Sequence, residues 1–235
     1  MGTREEHLLR TVATLADSLV DDFDIVELLQ HLVEECITIF DAAAAGILLI
    51  GPRGQLEVIA STSENTQLIE LIQVEAGDGP CVESALTGRA VSVPDLRDLG
   101  DSWPRFAEPA AHSGYASLHA LPMRLRDDTI GSLNLFGDHT GELNSADATA
   151  AKTLADIATI SILQQRLHQE SMLAQGQLQR ALDSRVVIEQ AKGYVALRHG
   201  VDMNAAFELI RSHARASRSR LSDVAAGIIA GRSSL

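Results

Sequence analysis

Residues 45–60 of the chain read AGILLIGPRGQLEVIA, which is an apolar run, a short turn and a second apolar run. Gly51, Pro52 and Gly54 favour a tight turn, because proline fixes its own φ angle and glycine adopts conformations closed to other residues. Two short apolar runs on either side of such a turn predict a β-hairpin. This stretch decides the fold class of the first part of the chain, since it requires an antiparallel sheet.

Helical patterns surround this hairpin. Over the first 40 residues apolar side chains recur every three or four positions, and Asp24 is suited to cap the second of two helices. The later elements predicted from the same patterns are helices at 64–74 and from Pro80, and strands at 90–93, 116–125 and 129–136. The polar stretch 95–114 is expected to be a loop with short helices. This order of elements predicts an α+β domain whose antiparallel sheet is flanked by helices.

From Ser145 the pattern is helical as far as about Arg198. A helix of such length usually needs a partner along it. A spacing of 3.5 residues gives an imperfect heptad repeat with small residues in its middle. Its positions are Ile160, Leu163, Leu167, Ser171, Ala174, Leu178, Ala181, Arg185 and Ile188. We therefore predict a parallel, coiled-coil-like homodimer held by residues 150–190. Two helices broken near Gly176 are the alternative.

The charge distribution divides the chain into two parts. The 235 residues carry a net charge of −13, and 46% of them are hydrophobic, as in ordinary globular proteins. Residues 1–176 hold 10 basic and 27 acidic side chains, whereas residues 177–235 hold 9 basic and 5 acidic ones. Such a reversal predicts two modules with different partners. We place the boundary between domains 1–165 and 166–235.

Several function classes are excluded by what the sequence lacks. No apolar run approaches the roughly 20 residues needed to span a bilayer, and the start of the chain does not resemble a secretory signal. Cys36 and Cys81 are too few for a disulfide framework and have no CxxC spacing for zinc. Nucleophile-elbow, Walker, zinc-protease and dinucleotide-binding motifs are all missing. We expect a cytoplasmic protein that is not an enzyme and has no metal site and no membrane partner.

The middle of the chain carries a recognisable set of motifs. The stretches GDGPCVESALTGRAVSVPDL at 77–96, WPRFA at 103–107, GYASLHALPM at 114–123 and IGSLNLF at 130–136 resemble a GAF domain, over roughly residues 22–165. The resemblance implies an antiparallel sheet flanked by helices, and a sensor for a small molecule or a protein signal. Cys81 is followed by Val82, whereas bilin-carrying GAF domains usually have Cys-His, and the cyclic-nucleotide set is not evident either. No cofactor is therefore assigned, and the GAF ligand is left unnamed.

Aromatic residues make up only 3% of the chain, yet Trp103, Phe106 and Tyr115 lie close together in the sequence. We expect them to lie near a GAF cavity together with His119 and Cys81, although core packing alone would also explain the cluster. His119 is more typical of a core or pocket residue with its hydrogen bonds made than of a catalytic residue. Cys81, at a helix start, is either a somewhat activated thiol or, more commonly, a small buried apolar residue.

The end of the chain has a more specific pattern. The stretches RVVIEQAKGYVALRHG at 185–200, AAFELIRSHAR at 205–215 and RLSDVA at 220–225 resemble an ANTAR domain, over about residues 170–231. The resemblance implies a three-helix module that binds RNA hairpins and prevents transcription termination. Ala196 stands where the pattern more often has methionine, which is a packing position. A DNA-binding transcription factor is the alternative, since three short helices can form a helix-turn-helix. The third helix, however, has the composition of a packing helix.

The residues themselves favour contact with RNA. Arg211, Arg215 and Arg218 fall at i, i+4 and i+7, which predicts a basic stripe on the second helix, and Arg220 follows in the turn. Guanidinium groups pair with phosphates and stack on unpaired bases. A solvated helix face is the alternative. We expect such exposed cations to contribute little to folding stability.

Lys192 and Gly193 complete the candidate RNA site. A lysine in a chain that otherwise uses arginine suggests a need for a compact ammonium group. Gly193 costs its helix about 1 kcal/mol relative to alanine, which indicates close approach of RNA or another backbone, or else packing against the neighbouring helix. The predicted RNA contacts are Lys192, Gly193, Arg198, Arg211, Arg215, Arg218 and Arg220. For Lys192 too we expect little contribution to stability.

Overall fold

A computed structural model of the chain describes residues 3–17, 24–99 and 101–232, except for the side chains of residues 173, 178 and 181. The chain divides into two compact units, Met1–Arg166 and Leu167–Leu235. The elements in chain order are α1 Arg4–Asp17, α2 Ile25–Phe40, β1 Ala44–Ile50, β2 Leu56–Ser61, α3 Glu64–Ala76, α4 Pro80–Thr87, β3 Val91–Val93, α5 Ala107–His112, β4 Ser117–Leu125, β5 Asp128–Gly137, α6 Ser145–His199, α7 Met203–Ala216 and α8 Leu221–Ile229.

The first unit is built on one five-stranded sheet with the strand order β2-β1-β5-β4-β3. All four strand pairings are antiparallel. The hairpin predicted at residues 45–60 is confirmed as β1 and β2, and Gly54 in its turn has a φ of 82°. The predicted α+β class with an antiparallel sheet and flanking helices is therefore confirmed.

Each face of the sheet is covered by a different group of helices. One face of the sheet, which we call the α2 face, packs against α1, α2 and the beginning of α6, and the core on this side includes Leu32, Leu133 and Leu154. The opposite face, which we call the α4 face, packs against α3, α4 and α5, and the core on that side includes Leu48 and Phe106. Because successive strand residues point to opposite faces, each buried strand serves both cores.

The helix boundaries follow the signals in the sequence. Asp24 caps α2 by accepting a hydrogen bond from the Val26 backbone N–H at 2.7 Å. Pro80 begins α4, where its missing N–H leaves no helical hydrogen bond unmade. Gly200 follows the end of α6 with a φ of 67°, a left-handed conformation that glycine adopts without strain.

The second unit contains a small helical core of its own. The last turns of α6 pack against α7 and α8 through Ala191 and Val195. On α7 the buried side is formed by Ala206, Ile210 and Ala214, which recur every four residues as an amphipathic helix requires. Asp202 caps α7 by accepting hydrogen bonds from the next turn. The predicted three-helix arrangement of the C-terminal residues is thus confirmed.

Candidate nucleic-acid interface and sensor site

The outward side of α7 carries two arginines. Arg211 and Arg215 are exposed because Ala206, Ile210 and Ala214 take the opposite side of the helix. Arg211 donates a hydrogen bond from Nη1 to the Glu208 carboxylate at 3.2 Å, an exposed pairing of the kind that contributes little to stability. Both guanidinium groups are therefore accessible to a polyanion.

Arg218 does not continue the helical stripe as the spacing predicted. Helix α7 ends at Ala216 with Ser217 as its C-cap, and Arg218 has a φ of 52° in the turn that follows. Arg220 stands at the N-cap position of α8 and is exposed, as is Arg218. The helical period breaks here because the chain reverses toward α8. The basic surface thus consists of a helical part and a turn.

Lys192 is held more tightly than an exposed phosphate ligand would be. Its Nζ lies 2.9 Å from each carboxylate oxygen of Glu189 and 5.6 Å from the centroid of the Phe207 ring. Only 16% of the lysine side chain is exposed. Glu189 is on the same helix as Lys192, whereas Phe207 belongs to α7, so the contact with its ring joins two helices. These contacts favour a contribution of Lys192 to stability, which the sequence alone did not lead us to expect.

Gly193 and Arg198 lie on α6 beyond this contact. A Cβ atom added to Gly193 would meet nothing within 4 Å, so packing against a neighbouring helix of the described chain does not explain this glycine. Arg198 donates a hydrogen bond from Nη1 to the Tyr194 hydroxyl at 3.2 Å. Since a helix turns by about 100° per residue, Lys192 and Arg198 point to different sides of α6.

Helix α8 is a packing helix. Its residues Val224, Ala225, Gly227 and Ile228 are buried against the other two helices. A DNA-reading helix must instead present an exposed face with polar side chains at its N-terminal turn. This burial argues against the helix-turn-helix alternative.

The candidate pocket residues of the first unit are divided between the two faces of the sheet. Cys81 and Phe106 are fully buried in the core of the α4 face. Trp103 is half-buried at the rim of that core, where its Nε1–H donates to Glu83 at 2.8 Å. Tyr115 packs on the same core, shares a 2.8 Å hydrogen bond with a threonine hydroxyl, and lines a different cleft from Trp103.

His119 is separated from these four residues by the sheet. It alternates with Leu118 and Ala120 of the α4 face and therefore points to the α2 face, where it lines a cleft of about 230 Å³. Its Nδ1 lies 2.8 Å from the Ser92 hydroxyl oxygen. Burial lowers the pKa of His119, although a hydrogen bond to the Gly141 backbone and the charge of Glu142 act in the opposite direction.

Sequence reasoning missed a buried polar cluster on the α4 face, formed by Glu70, Asn134 and Ser61. Asn134 Nδ2 donates to Glu70 Oε1 at 2.7 Å, and the Ser61 hydroxyl donates to Glu70 Oε2 at 2.8 Å. Burial raises the pKa of Glu70 to about 7, although these two hydrogen bonds act to lower it. Among the described residues, Asn134 Oδ1 has no hydrogen-bond partner. A Cβ at Gly46 would collide with the Glu70 carboxylate, so that strand position needs glycine.

Cys81 belongs to a second polar contact beside this cluster. Its backbone N–H donates to Gln73 Oε1 at 3.0 Å, and Gln73 Nε2 lies 3.2 Å from Sγ. Burial is the main reason that the pKa of the Cys81 thiol is raised well above its usual value, and the charge of Glu70 adds to the shift. The environment therefore corresponds to a buried apolar cysteine and not to an activated thiol.

Across the ranges that the structure describes, no group of three or more His, Cys, Asp and Glu side chains could hold a metal ion. Among the described helices, none combines the length and apolar character needed to cross a membrane.

The first unit is thus an antiparallel sheet flanked by helices, and the second is a three-helix unit with exposed arginines. The GAF domain family matches residues 24–162, and the ANTAR domain family matches residues 176–229. The chain therefore belongs to the GAF domain family, and an ANTAR domain follows the GAF domain. GAF domains are sensor domains, and ANTAR domains are RNA-binding domains of antitermination regulators.

Solved structures share the fold of the first unit. The GAF domain of a phosphoenolpyruvate-protein phosphotransferase from Acinetobacter is 14% identical, with a TM-score of 0.55 over 72% of this chain and 99% of that chain. Free methionine-R-sulfoxide reductase from Neisseria meningitidis, in complex with its substrate, is 21% identical, with a TM-score of 0.55 over 70% and 91%. The phycoerythrobilin-bound GAF domain of a cyanobacterial phytochrome is 16% identical, with a TM-score of 0.53 over 72% and 99%. These similarities establish the fold alone. The comparison with curated proteins finds no match.

Proposed function

We propose that the chain is a cytoplasmic transcription antitermination regulator, whose ANTAR domain binds RNA hairpins near terminators under the control of its GAF domain. The observation that carries this proposal is the exposed pair Arg211 and Arg215 on α7, continued by Arg218 and Arg220 in the following turn. These cations stand out in a chain of net charge −13. A local basic surface on an acidic protein favours a polyanionic partner at that surface.

RNA fits this surface better than DNA does. Helix α8 buries one side against the other two helices, which disfavours it as a recognition helix for the major groove. Hairpin loops, by contrast, present phosphates and unpaired bases to arginine side chains. Gel shifts of the full chain with a pool of hairpin RNAs with randomised loops, and with duplex DNA of matching sequence, test the choice. We expect retention of hairpin RNA, and equal or stronger retention of duplex DNA would overturn the proposal.

A parallel homodimer is part of the proposal. On the outer side of α6, Leu182, Val186 and Leu197 are 49%, 56% and 87% exposed. With Gly193 they recur at intervals of four and seven residues, on the side of α6 opposite the buried Ala191 and Val195. Ile188 of the predicted heptad packs on the three-helix core instead, and the side chains of Leu178 and Ala181 lie outside the described residues. In residues 182–197 the exposed apolar stripe therefore has a different register from the heptad read in the sequence.

Light scattering tests the dimer. Val186→Asp places a charge in this stripe and should convert the dimer to a monomer at micromolar concentration. Gln177→Asp, at another exposed position of the same helix, should leave the dimer intact. A wild-type chain that stays monomeric both with and without RNA would contradict this part of the proposal.

For the GAF domain we propose sensing without catalysis. Cys81 is buried and protonated, and the ring of His119 is engaged by Ser92 and Gly141, which supports roles in structure and not in chemistry. The signal is a small molecule or a protein. Helix α6 is continuous from Ser145 to His199, which supports its role as the linker between the sensing and binding domains.

A further inference from the structure

Tyr194 is an exposed aromatic side chain in the ANTAR domain. It lies on α6 with 44% of its surface accessible, outside the cluster that forms the three-helix core. The other aromatic ring in residues 167–232 is that of Phe207, which is partly buried and lies beneath Lys192. Aromatic residues form only 3% of the chain, so an exposed ring in the candidate RNA-binding unit needs an explanation.

Arg198 is held beside this ring. Its Nη1 donates to the Tyr194 hydroxyl at 3.2 Å, and its Cζ lies 6.0 Å from the ring centroid. No carboxylate is paired with Arg198 in the described part of the chain, whereas Lys192 and Arg211 are each paired with a glutamate. The pair therefore combines a flat π-surface with a guanidinium group that is available to an anion.

We propose that Tyr194 is a stacking site for one unpaired base of the RNA loop, and that Arg198 binds the phosphate next to that base. This inference rests on the proposed RNA-binding function and extends it to a residue outside the basic surface. Unpaired bases stack on aromatic side chains and on guanidinium planes, while paired bases of a stem offer no free face. Tyr194 thereby distinguishes a hairpin loop from the stem, which arginines that contact only phosphates do not do.

The experiment uses the full chain and the tightest hairpin selected by wild-type protein from a pool with a fixed stem and eight randomised loop nucleotides. Tyr194→Ala should weaken binding about tenfold or more, because stacking on one ring is lost. Tyr194→Leu, which keeps an apolar side chain and helix propensity, should weaken it similarly. Tyr194→Phe keeps the ring and should stay within about threefold of wild type. His199→Ala, at an exposed position in the last turn of α6 that lies outside the apolar stripe, is the control for general damage to this part of α6.

Abasic substitution along the loop then locates the stacked base. At one position it should weaken wild-type binding as much as Tyr194→Ala does, and at that position the two changes together should add nothing further. Wild-type affinity in both Tyr194→Ala and Tyr194→Leu would overturn the inference and leave the proposed function standing. So would a loss of affinity that disappears once dimer concentration is matched, because Tyr194 would then serve a protein contact. If the wild-type chain selects no hairpin from the pool, both the inference and the proposed function fail.

Discussion

The GAF and ANTAR domains place their polar groups in opposite ways. The GAF domain encloses Glu70 and Asn134 completely, whereas the ANTAR domain leaves Arg211 and Arg215 in solvent. A buried carboxylate destabilises the fold when it ionises, so its charge acts on stability. An exposed arginine contributes little to folding, so its charge remains available for a partner. The comparison indicates that charge changes in the GAF domain will alter stability, and those in the ANTAR domain will alter binding.

The largest effect is expected where the ANTAR charges are removed. Arg211→Ala together with Arg215→Ala should weaken hairpin RNA binding about thirtyfold or more, since each lost charge-assisted contact costs roughly 1–3 kcal/mol. The dependence of affinity on salt should become shallower, because fewer counterions are released on binding. Fluorescence anisotropy over a series of salt concentrations measures both quantities.

Arg180→Ala is the matched control, since Arg180 is an exposed arginine outside the candidate site. It should change affinity far less than the double substitution does. The melting temperature of the double variant should equal that of wild type. If melting temperature and affinity fall together, these two arginines are structural, and the contrast between the domains no longer holds.

The next effect concerns the GAF domain and pH. The pKa of Glu70 is raised to about 7 from the ordinary value of 4.5, so the folded chain keeps this proton where the unfolded chain has lost it. The unfolding free energy should therefore fall as pH rises from 4.5 to 7, by roughly 3 kcal/mol from this group, and stay lower above pH 7. Urea unfolding at pH 4.5, 6 and 8 measures the decrease. Glu70→Gln should lack it.

The exposed Glu75 on the same helix supplies the control for this measurement, because Glu75→Gln changes an equal charge in solvent. Its pH dependence should match that of wild type. An equal pH dependence in the Glu70→Gln variant would mean that Glu70 does not control stability. The expectation that charge changes in the GAF domain alter stability would then be wrong.

The hydrophobic patterns predicted most of the fold. The turn at residues 51–54, the apolar period of the helices and the caps at Asp24 and Gly200 are local signals, and each corresponds to an observed element. The helical spacing failed at Arg218, because spacing alone does not mark where a helix ends and Ser217 offers only a weak stop signal. The spacing of apolar residues therefore predicts which side of a helix is buried more securely than it predicts where the helix ends.

The candidate pocket was harder to predict because it depends on contacts between distant segments. We grouped His119 with the aromatic residues because they are close in sequence, although the alternation along the strand points His119 to the face opposite Leu118 and Ala120. Asn134 also left a signal as a polar residue between Leu133 and Leu135. The partner of Asn134 is Glu70, 64 positions earlier in the sequence, and no local pattern connects the two residues.

Lys192 is a partly buried cation in the ANTAR domain, so it tests whether such a charge affects stability or is available for binding. Lys192→Ala removes contacts with Glu189 and Phe207 and should lower the unfolding free energy by about 1 kcal/mol. Arg215→Ala, an exposed change on α7, should leave it within about 0.5 kcal/mol of wild type. Chemical denaturation of both variants provides the measurement. Equal stability of the two would place Lys192 with the exposed cations.

The smallest effect is expected at Gly193, where stability and binding should change in opposite directions. A Cβ at this position meets nothing within 4 Å, so Gly193→Ala should raise the unfolding free energy of the isolated chain by at most about 1 kcal/mol through helix propensity. If RNA or a second helix approaches the backbone here, the same methyl group should weaken hairpin binding or dimerisation. Ser184→Ala, at another position of α6, controls for a general gain in helix stability. Greater stability with unchanged binding and unchanged dimerisation would remove Gly193 from the interface and leave its presence in α6 without a role.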